Sequence, residues 1–135
     1  MGAMSEAHTL AIAKSLIDAI TAGDVAAIER LYHDDLVGWQ NFSGRELNRR
    51  QMLKIIGLVM SGVKDLRYDE IRVQVTPRGY VEQHVLRAIA PDGTAIACPA
   101  CLVVELSGDQ IVRIDEYMDA AAIAPLLSAA APRGN

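Results

Sequence analysis

The sequence predicts an α+β fold, a cone-shaped barrel in which a strongly curved, mostly antiparallel sheet wraps around three N-terminal and central helices. Three observations carry this expectation. Apolar residues recur at helical spacing in three separate stretches between Ile12 and Val59. From Leu66 the period changes to two and stays there to Met118. The turn signals Pro77-Arg78-Gly79, Pro91-Asp92-Gly93 and Gly108-Asp109 divide that second half into hairpins. Helices followed by a long meander is an α+β plan. A curved sheet laid over helices encloses an apolar space of the kind that holds ligands.

Ser5 to Ala22 reads as a helix, because Ile12, Leu16 and Ile20 stack at four-residue intervals with Ala13 and Ile17 beside them. Gly23 can end that helix and Asp24 can cap a second one from Val25 to Tyr32. His33-Asp34-Asp35 reads as a polar turn before an extended segment, Leu36 to Phe42. In that segment Val37, Trp39 and Asn41 share one face, and Gly38 and Gln40 the other. Ser43 and Glu46 fit a capping box opening a third helix to about Met60, with Met52, Ile55, Ile56 and Val59 as its buried stripe. Four strands follow, at 66–76, 79–90, 95–107 and 110–118, and Asp119 can cap a last short helix ending at Leu127. Both faces of the strands carry apolar residues. One face is expected to meet the helices and the other a second copy of the chain, giving a homodimer through the sheet. One domain is therefore expected over residues 8–127, with an extension at 1–7 and a loose tail at 128–135; Met1-Gly2-Ala3 reads as a possible expression remnant.

Composition narrows the functional classes. The chain has 135 residues, 51% of them apolar and 22% charged, with a net charge of -4. That supports a sizeable core and excludes a disordered chain. Basic residues are scattered apart from Arg49-Arg50, so neither nucleic acid nor a membrane surface is an expected partner. No apolar run reaches the roughly 20 residues a bilayer span needs. Two cysteines without a leader point to reduced thiols in the cytoplasm. Cys98-Pro-Ala-Cys101 lies in a strand, where residues three apart face opposite ways, so a redox or metal role is not expected. His8, His33 and His84 are too dispersed for a metal set, and no cofactor is implied.

The anomaly in the strands is a carboxylate in an apolar row. Val112, Ile114, Glu116 and Met118 share a face of the last strand, and Glu82, His84 and Leu86 share a face of the second long strand. If these faces and that of Trp39 and Asn41 line the cone, His84, Glu116 and Asn41 converge. His84 and Glu116 would then divide the acid and base roles. Asn41 would orient water or a carbonyl, and Trp39 would form an apolar wall with Leu86, Ile114 and Met118. The alternative is a structural His84–Glu116 pair, or a pair on the dimer face. Glu82 is expected at the rim or the interface.

Four stretches resemble the ketosteroid isomerase and nuclear transport factor 2-like superfamily, especially its SnoaL-like (polyketide cyclase-like) and limonene-epoxide-hydrolase-like branches. They are Ala22-Gly-Asp24, Leu31-Tyr-His-Asp-Asp35, Gly44-Arg-Glu46 and Asp109 to Asp119, in that order. The resemblance covers about residues 8–127. At the places where ketosteroid isomerases carry a Tyr and two Asp, this chain has Leu16, Gln40 or Asn41, and Cys101 or Leu102, so steroid isomerisation by that scheme is not implied. Leu16 would then be a wall of the site. Trp39-Gln40-Asn41 is similar to the epoxide hydrolases' Tyr-Gln-Asn, and Glu116 before Tyr117 is similar to their water-activating Asp. Glu82-Gln83-His84 stands where those enzymes have Arg-x-Asp, so His84 would replace the usual acid. SnoaL-like cyclases place an acid/base Asp where Glu116 stands. The resemblance thus implies a cofactor-independent acid/base enzyme, an isomerase, cyclase or lyase, acting on a small, largely apolar substrate. The alternatives are an epoxide hydrolase and a non-catalytic small-molecule-binding or dimerisation module.

Overall fold

The computed structural model describes residues 5–130. Its elements are α1 (Glu6–Ala22), α2 (Val25–Leu31), β1 (Tyr32–Gln40), β2 (Glu46–Asn48), α3 (Arg49–Gly62), β3 (Lys64–Thr76), β4 (Gly79–Ile89), β5 (Ala95–Ser107), β6 (Gln110–Met118) and α4 (Ala120–Ala130). The four long strands lie within about two residues of their expected limits. The caps follow the sequence. Ser5 accepts from the His8 amide, Gly23 takes the left-handed conformation (φ 69°) that ends α1, and Asp24 accepts from the Ala27 amide. Asp119 accepts from the amides of Ala121 and Ala122 at the start of α4. Helix α1 starts at Glu6, as the sequence leads one to expect, and α4 runs to Ala130. Residues 1–4, with the suspected remnant, and 131–135 of the expected tail lie outside the described residues.

Three expectations are corrected. The sheet is open, not a closed barrel: six strands run in the order β2-β1-β6-β5-β4-β3, and β2 and β3 are its two edges. Among the described residues three-residue β2 has no partner beyond β1, and β3 none beyond β4, so no ladder closes the ring. His33-Asp34-Asp35 is not a turn. Tyr32 already pairs with Ile111 and Val37 with Arg113, so the polar residues stand in an irregularity of β1. The capping box of the third helix belongs to Asn48 and Gln51, not Ser43 and Glu46. Glu46 is bound instead to Arg113 (2.9 Å) and lies in β2, while Ser43 closes a turn with Gln40 and Arg45.

One face of the sheet carries all four helices: α1 over β3 and β4, α3 over β1, and α4 over β5. The core between them joins Ile12, Leu16 and Ile20 of α1 to Tyr32, Leu36, Tyr80, Leu102, Val104, Ile111 and Ile114 of the sheet. A second cluster places Ile123 and Leu126 of α4 against Leu86, Ala88, Ile96 and Cys98. Strand β3 is bent by two bulges, each with a non-glycine residue at positive φ, Asp65 (54°) and Glu70 (55°). They flank Tyr68 and let it turn inward. Cys98 is buried on the helix side and Cys101 is half-buried, and both are free thiols. Among the described residues no helix is long and apolar enough to cross a membrane.

Candidate active site

A cavity of about 80 Å³ lies between the helices and the inner face of the sheet. Its walls are apolar: Leu16 and Ile20 from α1, Met52, Ile55, Ile56 and Val59 from α3, Ile123, Leu126 and Leu127 from α4, and Leu86, Leu102, Ile114 and Met118 from the sheet. Its polar lining is Gln40, His84, Glu116, Tyr32 and Tyr68. Two of the three expected catalytic residues, His84 and Glu116, therefore meet one cavity, as do Leu16, Leu86, Ile114 and Met118.

Strand register builds the polar wall. Gln40 on β1 lies beside Glu116 on β6, Glu116 opposite Leu102 on β5, and Leu102 opposite Glu82 on β4. In the adjoining row Met118 faces Ala100, and Ala100 faces His84. Small Ala100 leaves room above β5 for the His84 ring. Glu116 and His84 thus stand on strands two apart, about 9–10 Å between backbones, and lean into the same space.

Each carries a buried partner. The Gln40 side-chain amide donates to Glu116 Oε1 at 2.9 Å. His84 Nδ1 pairs with Glu82 Oε2 at 2.6 Å, both side chains being 2% or less exposed. This occupies Nδ1 and leaves Nε2 as the nitrogen available to a ligand. Tyr68 stacks on the His84 ring, with centroids 3.7 Å apart and planes 9° from parallel. That contact holds the imidazole flat against β3. Burial pushes the Glu116 carboxyl above the usual carboxylate range and nearby Glu82 adds to the rise, while the Gln40 hydrogen bond and His84 work against it. Burial likewise raises the hydroxyls of Tyr32 and Tyr68, with Glu116 adding to both, so both stay protonated donors. Glu82 Oε1 is buried and finds no hydrogen-bond partner among the described residues.

Asn41 and Trp39 fall elsewhere. Gln40, not Asn41, faces the cavity; the residues of β1 alternate as expected, but its inner face is that of Gly38 and Gln40. The cause is Asn41 itself. Its side chain donates to the Met118 carbonyl (3.0 Å) and accepts from the Met118 amide (2.9 Å), clasping the end of β1 to β6. Trp39 stands on the outer face against Tyr117, with ring centroids 5.3 Å apart. Glu82, expected at the rim, is 1% exposed. The signal for it was present in the sequence, since it shares the phase of His84. Tyr68 gave no such signal, because the bulges that turn it inward leave no period to read. Asn41→Ala is accordingly expected to lower stability by about 1–2 kcal/mol, two exposed hydrogen bonds' worth, and to leave any turnover within a few-fold of wild type. Thermal melts alongside an activity assay check this, and a complete loss of turnover in a folded variant would return Asn41 to the chemistry.

Among the described residues no group of three His, Cys, Asp or Glu side chains is arranged to hold a metal ion. What the cavity offers is an acid, an imidazole held by a carboxylate, an amide and two phenols inside an apolar shell.

Solved structures share this fold. PrhC from Penicillium brasilianum NBRC 6234 superposes with a TM-score of 0.79 at 15% identity, over 91% of this chain and 87% of that one. A Shewanella denitrificans OS-217 protein described as a SnoaL-like polyketide cyclase gives 0.75 at 16%, over 89% and 96%. A limonene-epoxide-hydrolase-like epoxide hydrolase of M. tuberculosis gives 0.71 at 16%, over 91% and 92%. No curated protein matches the chain. The architecture is thus the one shared by SnoaL-like cyclases, ketosteroid isomerase-like proteins and epoxide hydrolases of this type. Residues 13–114 match the SnoaL-like domain, and the chain belongs to that family.

Proposed function

We propose that the protein is a cofactor-independent acid/base enzyme of the isomerase, cyclase or lyase kind, acting on a small, largely apolar substrate between His84 and Glu116. The observation that carries this reading is the pairing of two differently supported titratable groups across one apolar cavity. Burial raises the Glu116 carboxyl above the usual carboxylate range, which favours its acid form. Gln40 donates to Oε1, which leaves the acidic hydrogen on Oε2. Glu82 holds His84 by Nδ1 and leaves Nε2 turned to the substrate. A substrate carbonyl would accept from Glu116 while His84 removes a proton from the adjacent carbon; return of that proton to a different carbon of the enol, with Glu116 taking its own proton back, would complete an isomerisation. Carbonyl polarisation and proton removal on opposite sides of the substrate suit groups carried two strands apart.

The test is exchange of α-hydrogens for deuterium in a panel of small ketones and enones, followed by NMR, with small epoxides in parallel. Catalysed exchange supports the reading. Opening of the epoxides instead would make the protein a hydrolase in which His84 replaces the usual acid and Glu116 activates the water. No turnover on either panel would leave a binding module. A second copy on the outer sheet face is part of the proposal. Val103 (36%) and Tyr117 (46%) are exposed apolar side chains there. Sedimentation velocity at micromolar concentration should give the mass of two chains, and a single-chain mass would remove the dimer.

A further inference from the structure

A space of about 80 Å³ is small for a binding site. A void of about 150 Å³ is what takes up benzene, and a water molecule's share of the liquid is about 30 Å³. The free space therefore fits a molecule below benzene in size, and something in the wall must set that limit. The structure assigns this role to Met52, seated against Gly38. Gly38 does not have the positive φ that favours glycine. Its missing side chain answers to space: a β-carbon there would overlap the Met52 sulfur and lie 2.7 Å from Cε and 2.8 Å from Cγ. The notch in β1 is thus filled by the thioether. Met52 is also the one buried residue of α3 and lines the cavity. Gly38 and Gln40 are neighbours on the inner face of β1, so the thioether sits at the Gln40–Glu116 end of the site. Methionine has three rotatable bonds and adapts to irregular gaps. With the notch open its end is parked out of the ligand's space. With the notch filled, the flexible end must give way, and the cavity is where it can go.

Gly38 and Met52 together are therefore a specificity-determining pair that fixes the largest ligand admitted beside Glu116, an inference that rests on the acid/base reading of that cavity. The probes are cyclobutanone, cyclopentanone and cyclohexanone, with binding to the full chain followed through its methyl resonances. In Met52→Ala the affinity ratio of cyclohexanone to cyclobutanone should rise about tenfold or more, since the two differ by two methylenes and one alone carries about tenfold in an apolar pocket. In Gly38→Ala the ratio should fall by a similar factor. The double variant should return to the Met52→Ala ratio, because the displaced thioether is gone. If Gly38→Ala does not fold, comparing the double variant with Met52→Ala carries the same test: equal ratios support the pair, and a low ratio in the double variant overturns it. Ratios unchanged in every variant, or no binding of any ketone to any variant, also overturn it. Deuterium exchange in the same samples separates the two ideas. A moving size limit without exchange removes the acid/base reading and leaves the size limit standing; exchange with a fixed size limit does the opposite.

Discussion

Glu116→Gln should slow α-hydrogen exchange by roughly 10²–10⁴-fold, the usual contribution of a positioned proton-transfer group, while making the folded protein more stable at neutral pH. The two effects have one cause. A glutamine keeps the shape and can still accept from the Gln40 amide at the position now taken by Oε1, but it has no acidic proton to give. Stability moves the other way because burial has raised the Glu116 carboxyl above its unfolded value. Between those two values the native state binds more protons than the unfolded state, so stability falls as pH rises through the window. The favourable contribution of the protonated carboxyl is complete below the unfolded pKa and is lost as pH climbs through the folded one. The variant should show a flatter pH profile there, read from urea midpoints at a series of pH values. A wild-type slope in the variant, or full exchange activity, would sink the assignment.

Glu82→Ala should be among the most damaging single changes to stability, at about 1–3 kcal/mol, because it leaves a buried His84 nitrogen without its hydrogen-bond partner. At 2.6 Å and 2% or less exposure, the pair has no solvent to fall back on. Replacing both residues together, Glu82→Leu with His84→Phe, should recover most of that loss, since an apolar pair of similar volume serves a buried site about as well as an ion pair. Urea denaturation of the two variants makes the comparison. If Glu82→Ala loses less than about 1 kcal/mol, the pair does not hold the imidazole as described. The expected recovery also bears on why the pair exists. Among the described residues Glu82 already keeps one buried oxygen without a hydrogen-bond partner, which disfavours folding. A feature that apolar residues could replace without loss of stability is better explained by chemistry at His84 than by the fold.

The meander was legible because its period of two is unbroken from β4 to β6, and its turns carry glycine or proline where hairpins need them. His84 and Glu116 were legible for the same reason: each is a titratable group in an otherwise apolar row. Three things were hidden. The inner face of β1 depends on the clasp between Asn41 and Met118, and nothing local distinguishes it from the opposite choice. The start of α3 depended on Glu46 being taken by distant Arg113, which passed the capping role to Asn48 and Gln51. The openness of the sheet follows from how few residues β2 contributes, a count that only the three-dimensional pairing reveals.

The pairing of β1 with β6 is parallel, while the other four strand pairings are antiparallel. It joins Gln40 to Glu116 across 76 positions of chain. Contacts that distant are entropically expensive to close and form late, whereas the three hairpins from β3 to β6 join neighbours in sequence. The acid at Glu116 can therefore meet its supporting amide only when the first and last strands of the chain come together. A polypeptide that has completed its meander but not docked β1 would hold His84 and Glu82 on one strand and lack the Gln40–Glu116 link altogether. Assembly of the site is in this way a report on completed folding.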